Sequence, residues 1–280
     1  MRKFKIVTDS SSNIHGMTSA CFAGAPLKII TDEREFTDNA DLNVDEMLSF
    51  FDRYRGRSKT SCPNANDWLA AFGDADDIVC ITITSSLSGS YNSACLAKQV
   101  YEAEHPGRRV FVLDSLSAGP EIGLIAEKIE FYSLAGMSYE DICKRISDYT
   151  KRTGVLFMLK SMKNLANNGR VSVFTAKLAE LVGICVVGRA GEKGTLEPTG
   201  KCRGEHRAVE SIASTLQGLG LGRGRVKIAH CDNESAAIKL KKLITDKIPG
   251  VRVDIEKCRG LCSFYAERGG LLVGYEKKPV

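Results

Sequence analysis

The sequence predicts an α/β fold of two domains, the first built on a parallel sheet. Three apolar strands each run directly into a hydroxyl-rich loop and then into a helix, in segments 3–14, 77–94 and 109–126. Strands that alternate with helices in this way pair in parallel, with helices on both faces of the sheet. A length of 280 residues is more than one ordinary domain needs, so two domains are expected.

In the first half, capping residues and apolar spacing predict the individual elements. Strands are expected at 4–7, 26–30, 78–84 and 110–113, and helices at 44–54, 90–104, 120–134 and 139–151. Asn43 and Ser138 are favourable N-caps for the first and last of these helices. Gly136 follows the third helix in the manner of a C-terminal cap. Either Pro63 or Asn66 is expected to open a further short helix.

After Gly154 a second set of elements is expected, and we assign the domains to residues 1–153 and 154–280. Strands are expected at 155–159, 184–190 and 226–230, and helices at 174–182, 203–219 and 236–247. Residues 159–172 are interpreted as a basic loop and 191–198 as a hairpin turn. The closing stretch, 253–276, is interpreted as two strands joined by a polar crossing.

Composition predicts a globular cytoplasmic protein without a transmembrane segment. Hydrophobic residues make up 43% of the chain and charged residues 26%, as in soluble proteins. The longest apolar runs, such as Ile78–Ile83, are far too short to span a bilayer. The first residues lead directly into a strand, without the apolar segment of a signal peptide. Because the net charge is a mild +5 and no recognition helix is evident, no nucleic-acid partner is expected.

The cysteines and histidines predict neither a metal site nor a cofactor. None of the ten cysteines forms a C-x-x-C pair, and Cys80 and Cys143 lie in apolar segments, as reduced cysteines do. The four histidines lack the spacing of metal ligands. We therefore expect free thiols and no bound metal.

The three hydroxyl-rich loops predict an anion site. Loops that follow parallel strands gather at the carboxyl edge of the sheet, and a helix start offers free N–H groups to a carboxylate or phosphate. In segment 84–90, Gly89 lets the backbone approach a ligand closely. For any one loop, simple helix capping is the alternative explanation, since Ser, Thr and Asp are favoured there for local reasons.

Catalytic patterns are weak. The G-x-S-x-G elbow, the P-loop and G-x-G-x-x-G are absent, and the glycine-rich segment 218–225 precedes a strand rather than a helix. The alternative to a binding protein is a serine-dependent hydrolase or phosphotransferase acting on a small anionic substrate through a serine of segment 85–90. No histidine stands near that segment to serve as its base. A regulatory nucleic-acid binder using the basic stretch 189–207 is a third class.

Six short motifs, in this order, resemble those of the DegV family. They are TDSSSN at 8–13, KTSCPN at 59–64, SSLSGSYNSA at 85–94, DSLSAG at 114–119, NNGRVS at 167–172 and KCRG at 201–204. The resemblance covers essentially the whole chain. It implies a parallel-sheet N-terminal domain and a mixed-sheet C-terminal domain that close around one long-chain fatty acid in an apolar tunnel. It implies a binding protein rather than an enzyme, and some family members present the acyl group to a separate fatty-acid kinase.

The resemblance also implies which residues bind the ligand. Thr60 and Ser61 match the family's T-S pair, whose hydroxyl meets the fatty-acid carboxylate. The family's S-x-L-S-G-T-Y loop is matched by Ser86, Ser88, Gly89 and Ser90. Here Ser90 replaces the usual threonine and keeps its hydroxyl.

A cation is implied near the carboxylate end, where Arg170 matches the arginine of G-G-R-I-S. A surface arginine in a polar loop is the alternative interpretation of Arg170.

Two departures from the family pattern are evident. Segment 184–187 replaces an I-K-P-I strand, and Tyr265 stands at the histidine of H-x-G-P-G if Gly269 aligns with the last glycine of that motif. A phenol can donate one hydrogen bond to a carboxylate but carries no positive charge near neutral pH. A core tyrosine bonded to the backbone is the alternative for Tyr265. The departures bear more on a kinase-substrate role than on lipid binding.

Overall fold

A computed structural model describes residues 2–14, 16–18, 21–172 and 183–277. The strands are β1 (Phe4–Asp9), β2 (Phe22–Ala25), β3 (Lys28–Ile30), β4 (Glu35–Thr37), β5 (Lys59–Ser61), β6 (Asp77–Thr82), β7 (Arg109–Asp114), β8 (Thr153–Leu159), β9 (Ile184–Ala190), β10 (Leu196–Arg203), β11 (Arg225–His230), β12 (Arg252–Lys257) and β13 (Leu271–Glu276). The helices are α1 (Val44–Arg53), α2 (Ala65–Phe72), α3 (Ser90–Glu104), α4 (Pro120–Leu134), α5 (Tyr139–Tyr149), α6 (Lys163–Asn167), α7 (Glu205–Gly218), α8 (Glu234–Lys247) and α9 (Gly260–Ala266).

The first sheet is parallel throughout, in the order β2-β1-β6-β7. Successive side chains of its strands point to opposite faces. Val7 and Cys80 pack with α2 and α3 on one face, whereas Ile6 and Val79 pack with α4 and α5 on the other. The predicted parallel sheet covered on both faces is therefore confirmed. Because β1, β6 and β7 are neighbours, the three hydroxyl-rich loops lie side by side at its carboxyl edge.

The second sheet is mixed, in the order β10-β9-β8-β13-β11-β12, with only β11 and β12 pairing in parallel. Its outer face packs on α7 and α8 through residues such as Met158 and Ile228. Its inner face, which includes Phe157 and Leu159, packs on the antiparallel sheet β4-β3-β5 and on α1, α6 and α9. This inner layer is the part of the core in which the candidate site lies.

Helix α4 joins the two large sheets. Its apolar side packs on the parallel sheet, and its first turn rests on β13 at Gly274. A Cβ at Gly274 would lie 2.5 Å from the backbone nitrogen of Glu121, so only glycine permits this approach. Further along α4, Glu127 accepts from Lys227 and Arg225 of β11, at 2.7 Å in each case. Lys227 is 6% exposed, and Glu256 offers it a second carboxylate at 3.4 Å.

Several predicted helix ends are confirmed, others differ by one or two residues, and the residue predicted to open α2 is wrong. The helices expected at 90–104 and 120–134 have those bounds as α3 and α4. Asn43 and Ser138 cap α1 and α5 as predicted. Neither Pro63 nor Asn66 opens α2, because the side chain of Asn64 accepts from the N–H groups of Asn66 and Asp67. Asp67 completes a capping box by accepting from the Asn64 N–H.

The polar crossing expected between the last two strands is also wrong. It contains the buried helix α9, whose first N–H groups, on Gly260 and Leu261, donate to the carboxylate of Asp38 at 3.0 and 2.8 Å. That cap lies 222 residues upstream of Gly260, so no local pattern could reveal it. The helix expected at 174–182 lies outside the described residues. The domain boundary at residues 153 and 154 stays a prediction.

The buried carboxyl of Glu121 should make stability depend on pH. This side chain is 4% exposed and accepts from Ser117 and, at 2.7 Å, from Thr153. Burial raises the pKa of Glu121 from its ordinary 4.5 to about 7, against the opposing effect of the two hydrogen bonds. The folded chain therefore holds this proton more tightly than the unfolded chain. Its contribution to the free energy of unfolding should fall by about 3 kcal/mol as the pH rises from about 4.5 to 7.

Glu121→Gln should remove that decline, because the amide keeps the shape and cannot ionise. Urea unfolding across this pH range is the measurement. Glu104→Gln, at the exposed end of α3, is the matched control and should keep the wild-type slope. If the free energy of unfolding falls equally with pH in wild type and Glu121→Gln, the Glu121 carboxyl is not the cause of the decline.

Candidate functional site

A cavity of about 340 Å³ lies in the inner core layer. Small-molecule sites in proteins commonly measure about 300–1,000 Å³. Most of the described lining is apolar, and comprises Leu27, Cys62, Ile83, Leu87, Ala118, Phe157, Leu159, Leu165, Leu196, Leu261, Cys262, Ala266 and Leu272. The polar lining comprises Ser11, Thr60, Ser61, Ser88, Gly89, Arg170 and Tyr265. The cavity therefore suits a largely apolar molecule with a polar group.

Thr60 and Tyr265 form a hydroxyl pair in the cavity wall. Thr60 is held by β5, where it pairs with Ile29 of β3, and Tyr265 lies on α9. Their hydroxyl oxygens are 2.7 Å apart. Burial raises the pKa of Tyr265, so the phenol is neutral near neutral pH. Two hydroxyls carry two protons and use one between them, which leaves one O–H free to donate to a ligand.

Arg170 supplies a positive charge beside this pair. Its Nε donates to the carbonyl of Leu87 at 3.2 Å, and its Nη1 donates to the carbonyl of Asn168. The charge of Arg170 lowers the pKa of Tyr265, opposing the larger effect of burial, as expected for a cation near the phenol. Within the described part of the chain, no carboxylate forms an ion pair with Arg170. The guanidinium is therefore available to an anion.

The segment Ser88–Gly89 brings the start of α3 to the same wall. A Cβ at Gly89 would lie 3.3 Å from the sulfur of Cys62, so this glycine sits close against the end of β5. Gly89 is the N-cap residue of α3 and has no side chain with which to cap it. The Ser88 hydroxyl accepts from the Ser90 N–H at 3.2 Å and keeps its own proton for another acceptor. Ser61, also in the wall, donates to the carbonyl of Cys62 at 3.2 Å.

Ser86 and Ser90 are not among the lining residues. Ser86 donates to the carbonyl of Lys193 in the turn between β9 and β10. Ser90 is fully buried and donates to Asp9 at 2.6 Å. The structure thus brings the other expected site residues together at the cavity. Ser86 and Ser90 instead form hydrogen bonds that hold the loop in place. That they contact a ligand stays a prediction.

Asp9 is a buried acceptor that the sequence did not single out. Besides Ser90, it accepts from the Ile83 N–H at 2.9 Å, from the Ser11 N–H at 3.2 Å and from the Ser11 hydroxyl. Burial raises the pKa of Asp9. The ends of β1 and β6 and the start of α3 are therefore tied to one carboxyl group. The available signal was an aspartate just after the end of a predicted strand, between Thr8 and Ser10.

The expectation that all three hydroxyl-rich loops hold an anion is not supported for the first and third. In the first, Ser10 accepts from the Leu27 N–H at 3.0 Å, and Thr8 and Ser12 bond each other at 2.9 Å. In the third, Ser117 donates to Glu121. Ser11 alone of these hydroxyl residues reaches the cavity wall. Their hydroxyls mainly satisfy groups of the protein.

No feature of the site favours the hydrolase or phosphotransferase alternative. The described lining contains no histidine, and the acid bonded to Ser90 is enclosed by four donors from the protein. Within the described ranges, no group of three or more His, Cys, Asp or Glu residues could hold a metal ion. No described helix is both long and apolar enough to cross a membrane.

Known proteins resemble this chain over nearly its full length. The family model "Uncharacterised protein, DegV family" matches residues 3–278. A DegV domain-containing protein of Streptococcus pneumoniae is 38% identical over 277 residues, which are 98% of this chain and 99% of that protein.

Two solved structures extend the likeness to the fold. A DegV family protein from Eubacterium eligens loaded with heptadecanoic acid is 41% identical, with a TM-score of 0.95 over 98% of this chain and 100% of its own. The Streptococcus pneumoniae Fatty Acid Kinase (Fak) B3 protein loaded with linoleic acid is 38% identical, with a TM-score of 0.96 over 99% of this chain and 100% of its own. Both likenesses span essentially entire chains. With a family model that matches almost every residue, they show that this chain belongs to the DegV family.

Proposed function

We propose that this chain binds one long-chain fatty acid in the 340 Å³ cavity, with the carboxylate at Thr60 and Tyr265 and the acyl chain along the apolar lining. The observation that carries the proposal is the composition of the wall, which is apolar except for Ser11 and one connected set of donors. The Thr60 and Tyr265 hydroxyls are hydrogen-bonded, and the charge of Arg170 lowers the pKa of Tyr265. Arg170 also donates to the carbonyl of Leu87, the residue before Ser88. Gly89 in turn approaches Cys62, next to Ser61.

The two parts of a fatty acid need the two parts of this wall. Burial of an acyl chain contributes roughly 0.8 kcal/mol per CH₂ group. A carboxylate taken out of water without partners is costly, so it requires several donors or a cation. The Thr60–Tyr265 pair, the Ser88 hydroxyl, the backbone at Gly89 and the Arg170 guanidinium are the donors proposed here. Ser61 borders them, and Ser86 and Ser90 contribute by holding the loop.

Relatives with bound lipid support this function. The proteins from Eubacterium eligens and Streptococcus pneumoniae carry heptadecanoic acid and linoleic acid. We infer that this chain is a carrier without chemistry of its own and acts in the cytoplasm. The Streptococcus pneumoniae relative is a Fatty Acid Kinase (Fak) B3 protein. We therefore propose a fatty-acid kinase as the partner that receives the bound carboxyl group.

Freshly purified protein should carry close to one fatty acid per chain. Native mass spectrometry before and after organic extraction measures the bound mass, and gas chromatography identifies the acid. The proposal fails if extraction yields no fatty acid and the delipidated protein also binds none when hexadecanoic or octadecenoic acid is added.

Tyr265→Phe should weaken fatty-acid binding by about tenfold or more, because it deletes a hydrogen bond to a charged group and keeps the ring. Displacement of a fluorescent fatty acid measures the affinity. Tyr101→Phe is the matched control, since its hydroxyl bonds the carbonyl of Ala75 at 2.6 Å in the core beside α3. It should change stability without changing affinity.

The pH profile provides a second readout of Tyr265. Because burial raises the pKa of this phenol, wild-type affinity should stay level between about pH 6 and 8. Tyr265→His should bind more tightly as the pH falls, since the imidazole gains positive charge. Unchanged affinity in Tyr265→Phe together with a level profile in Tyr265→His would place the carboxylate elsewhere.

Arg170→Ala should impair transfer of the fatty acid to the kinase reaction more than binding itself. A guanidinium at the cavity that forms no ion pair with a described carboxylate can attract an anionic group of a second protein or of its nucleotide. With ATP and a fatty-acid kinase, kcat/KM for acyl-phosphate formation should fall by about tenfold, whereas affinity changes less. Arg145→Ala, exposed on α5, is the control and should match wild type. Equal losses in both assays would make Arg170 an ordinary ligand contact.

A further inference from the structure

The aromatic ring of Phe157 lies over a glycine in the cavity wall. Phe157 of β8 and Gly188 of β9 are direct partners in the antiparallel register, so both face the inner layer. Phe157 is 2% exposed and lines the cavity, whereas Gly188 is buried and absent from the lining. A Cβ at Gly188 would lie 2.3 Å from Cζ and 2.8 Å from Cε2 of that ring. The ring therefore occupies the space that any other side chain at 188 would fill.

This position of the ring depends on glycine. Non-bonded carbon atoms pack at about 3.5–4.0 Å, so a methyl group at 188 and the ring cannot both stay in place. The partner of Phe157 on its other side is Leu272 of β13, which also lines the cavity. Because Phe157 itself lines the cavity, we expect a ring displaced from Gly188 to move toward the cavity space.

We propose that the Gly188–Phe157 pair determines which acyl chains the cavity accepts. Gly188 leaves the space beside β9 that the ring fills, and the ring forms the part of the cavity wall that the acyl chain meets. This inference rests on the proposed fatty-acid binding and adds the feature that selects chain length. Each CH₂ group that the cavity gains or loses should change affinity about fourfold.

Phe157→Leu and Phe157→Met test the pair because they remove the aromatic ring from the cavity wall and leave Gly188 unchanged. Delipidated protein is offered an equimolar mixture of tetradecanoic, hexadecanoic, octadecanoic and eicosanoic acid, and native mass spectrometry reads the bound fraction of each. Both variants should shift toward longer acids, by about fifteenfold in the ratio between acids that differ by two CH₂ groups. Phe72→Leu is the matched control. Phe72 lies on α2, is also fully buried and packs against the parallel sheet, so this variant should keep the wild-type profile.

Gly188→Ala tests the opposite direction and should shift the profile toward shorter acids. Its Cβ would also lie 2.4 Å from the backbone oxygen of Glu197, which lowers stability as well, so the two Phe157 variants decide the matter. Wild-type profiles in both folded Phe157 variants would overturn the inference. A wild-type protein that binds none of the acids would instead overturn the proposed function.

Discussion

The carboxyl edge of the parallel sheet is organised around one buried carboxyl group, Asp9. Its two oxygens accept from backbone or side-chain donors of Ser11, Ile83 and Ser90. These donors belong to two chain segments, 3–14 and 77–94, and they link the ends of β1 and β6 to the start of α3. A buried carboxyl group is costly unless it is well hydrogen-bonded, and here the protein provides those bonds itself. These hydrogen bonds offset the cost of burying the carboxyl group. They also hold the loop that contains Ser88 and Gly89 against β5, where it completes the cavity wall.

A second constraint is the position of α4 between the sheets. Its apolar side is shared with the parallel sheet, and Gly274 lets its first turn approach β13. The ion pairs of Glu127 with Arg225 and Lys227 extend that junction, and Lys227 is nearly buried. A buried ion pair adds little net stability, because removing its charges from water is costly. It contributes more by fixing the position of α4 relative to β11. The contacts of α4 thus fix the distance between the parallel sheet and the mixed sheet, and the inner core layer does not have to set it.

Much of the fold was predictable because its signals are local. Alternating strands and helices, the caps at Asn43 and Ser138 and the ends of α3 and α4 all follow from residues adjacent in sequence. Helix α9 was missed because its cap, Asp38, belongs to a distant segment. For the site, motif resemblance led to Thr60, Ser88, Gly89, Arg170 and Tyr265, which the fold assembles around one cavity. It could not separate lining from support, since Ser88 and Ser90 are alike in sequence and differ only in where their hydroxyls point.

The order of strands in the mixed sheet has a consequence for biosynthesis. β13 is the last of the described strands, yet it lies between β8 and β11 in the middle of that sheet. Until it emerges from the ribosome, β8 and β11 have no common neighbour, and the sheet stays divided. The Thr60–Tyr265 pair joins residues 205 positions apart and is likewise late to form. Long-range pairings of this kind fold slowly. A nascent chain therefore has no finished cavity until α9 and β13 have both been translated.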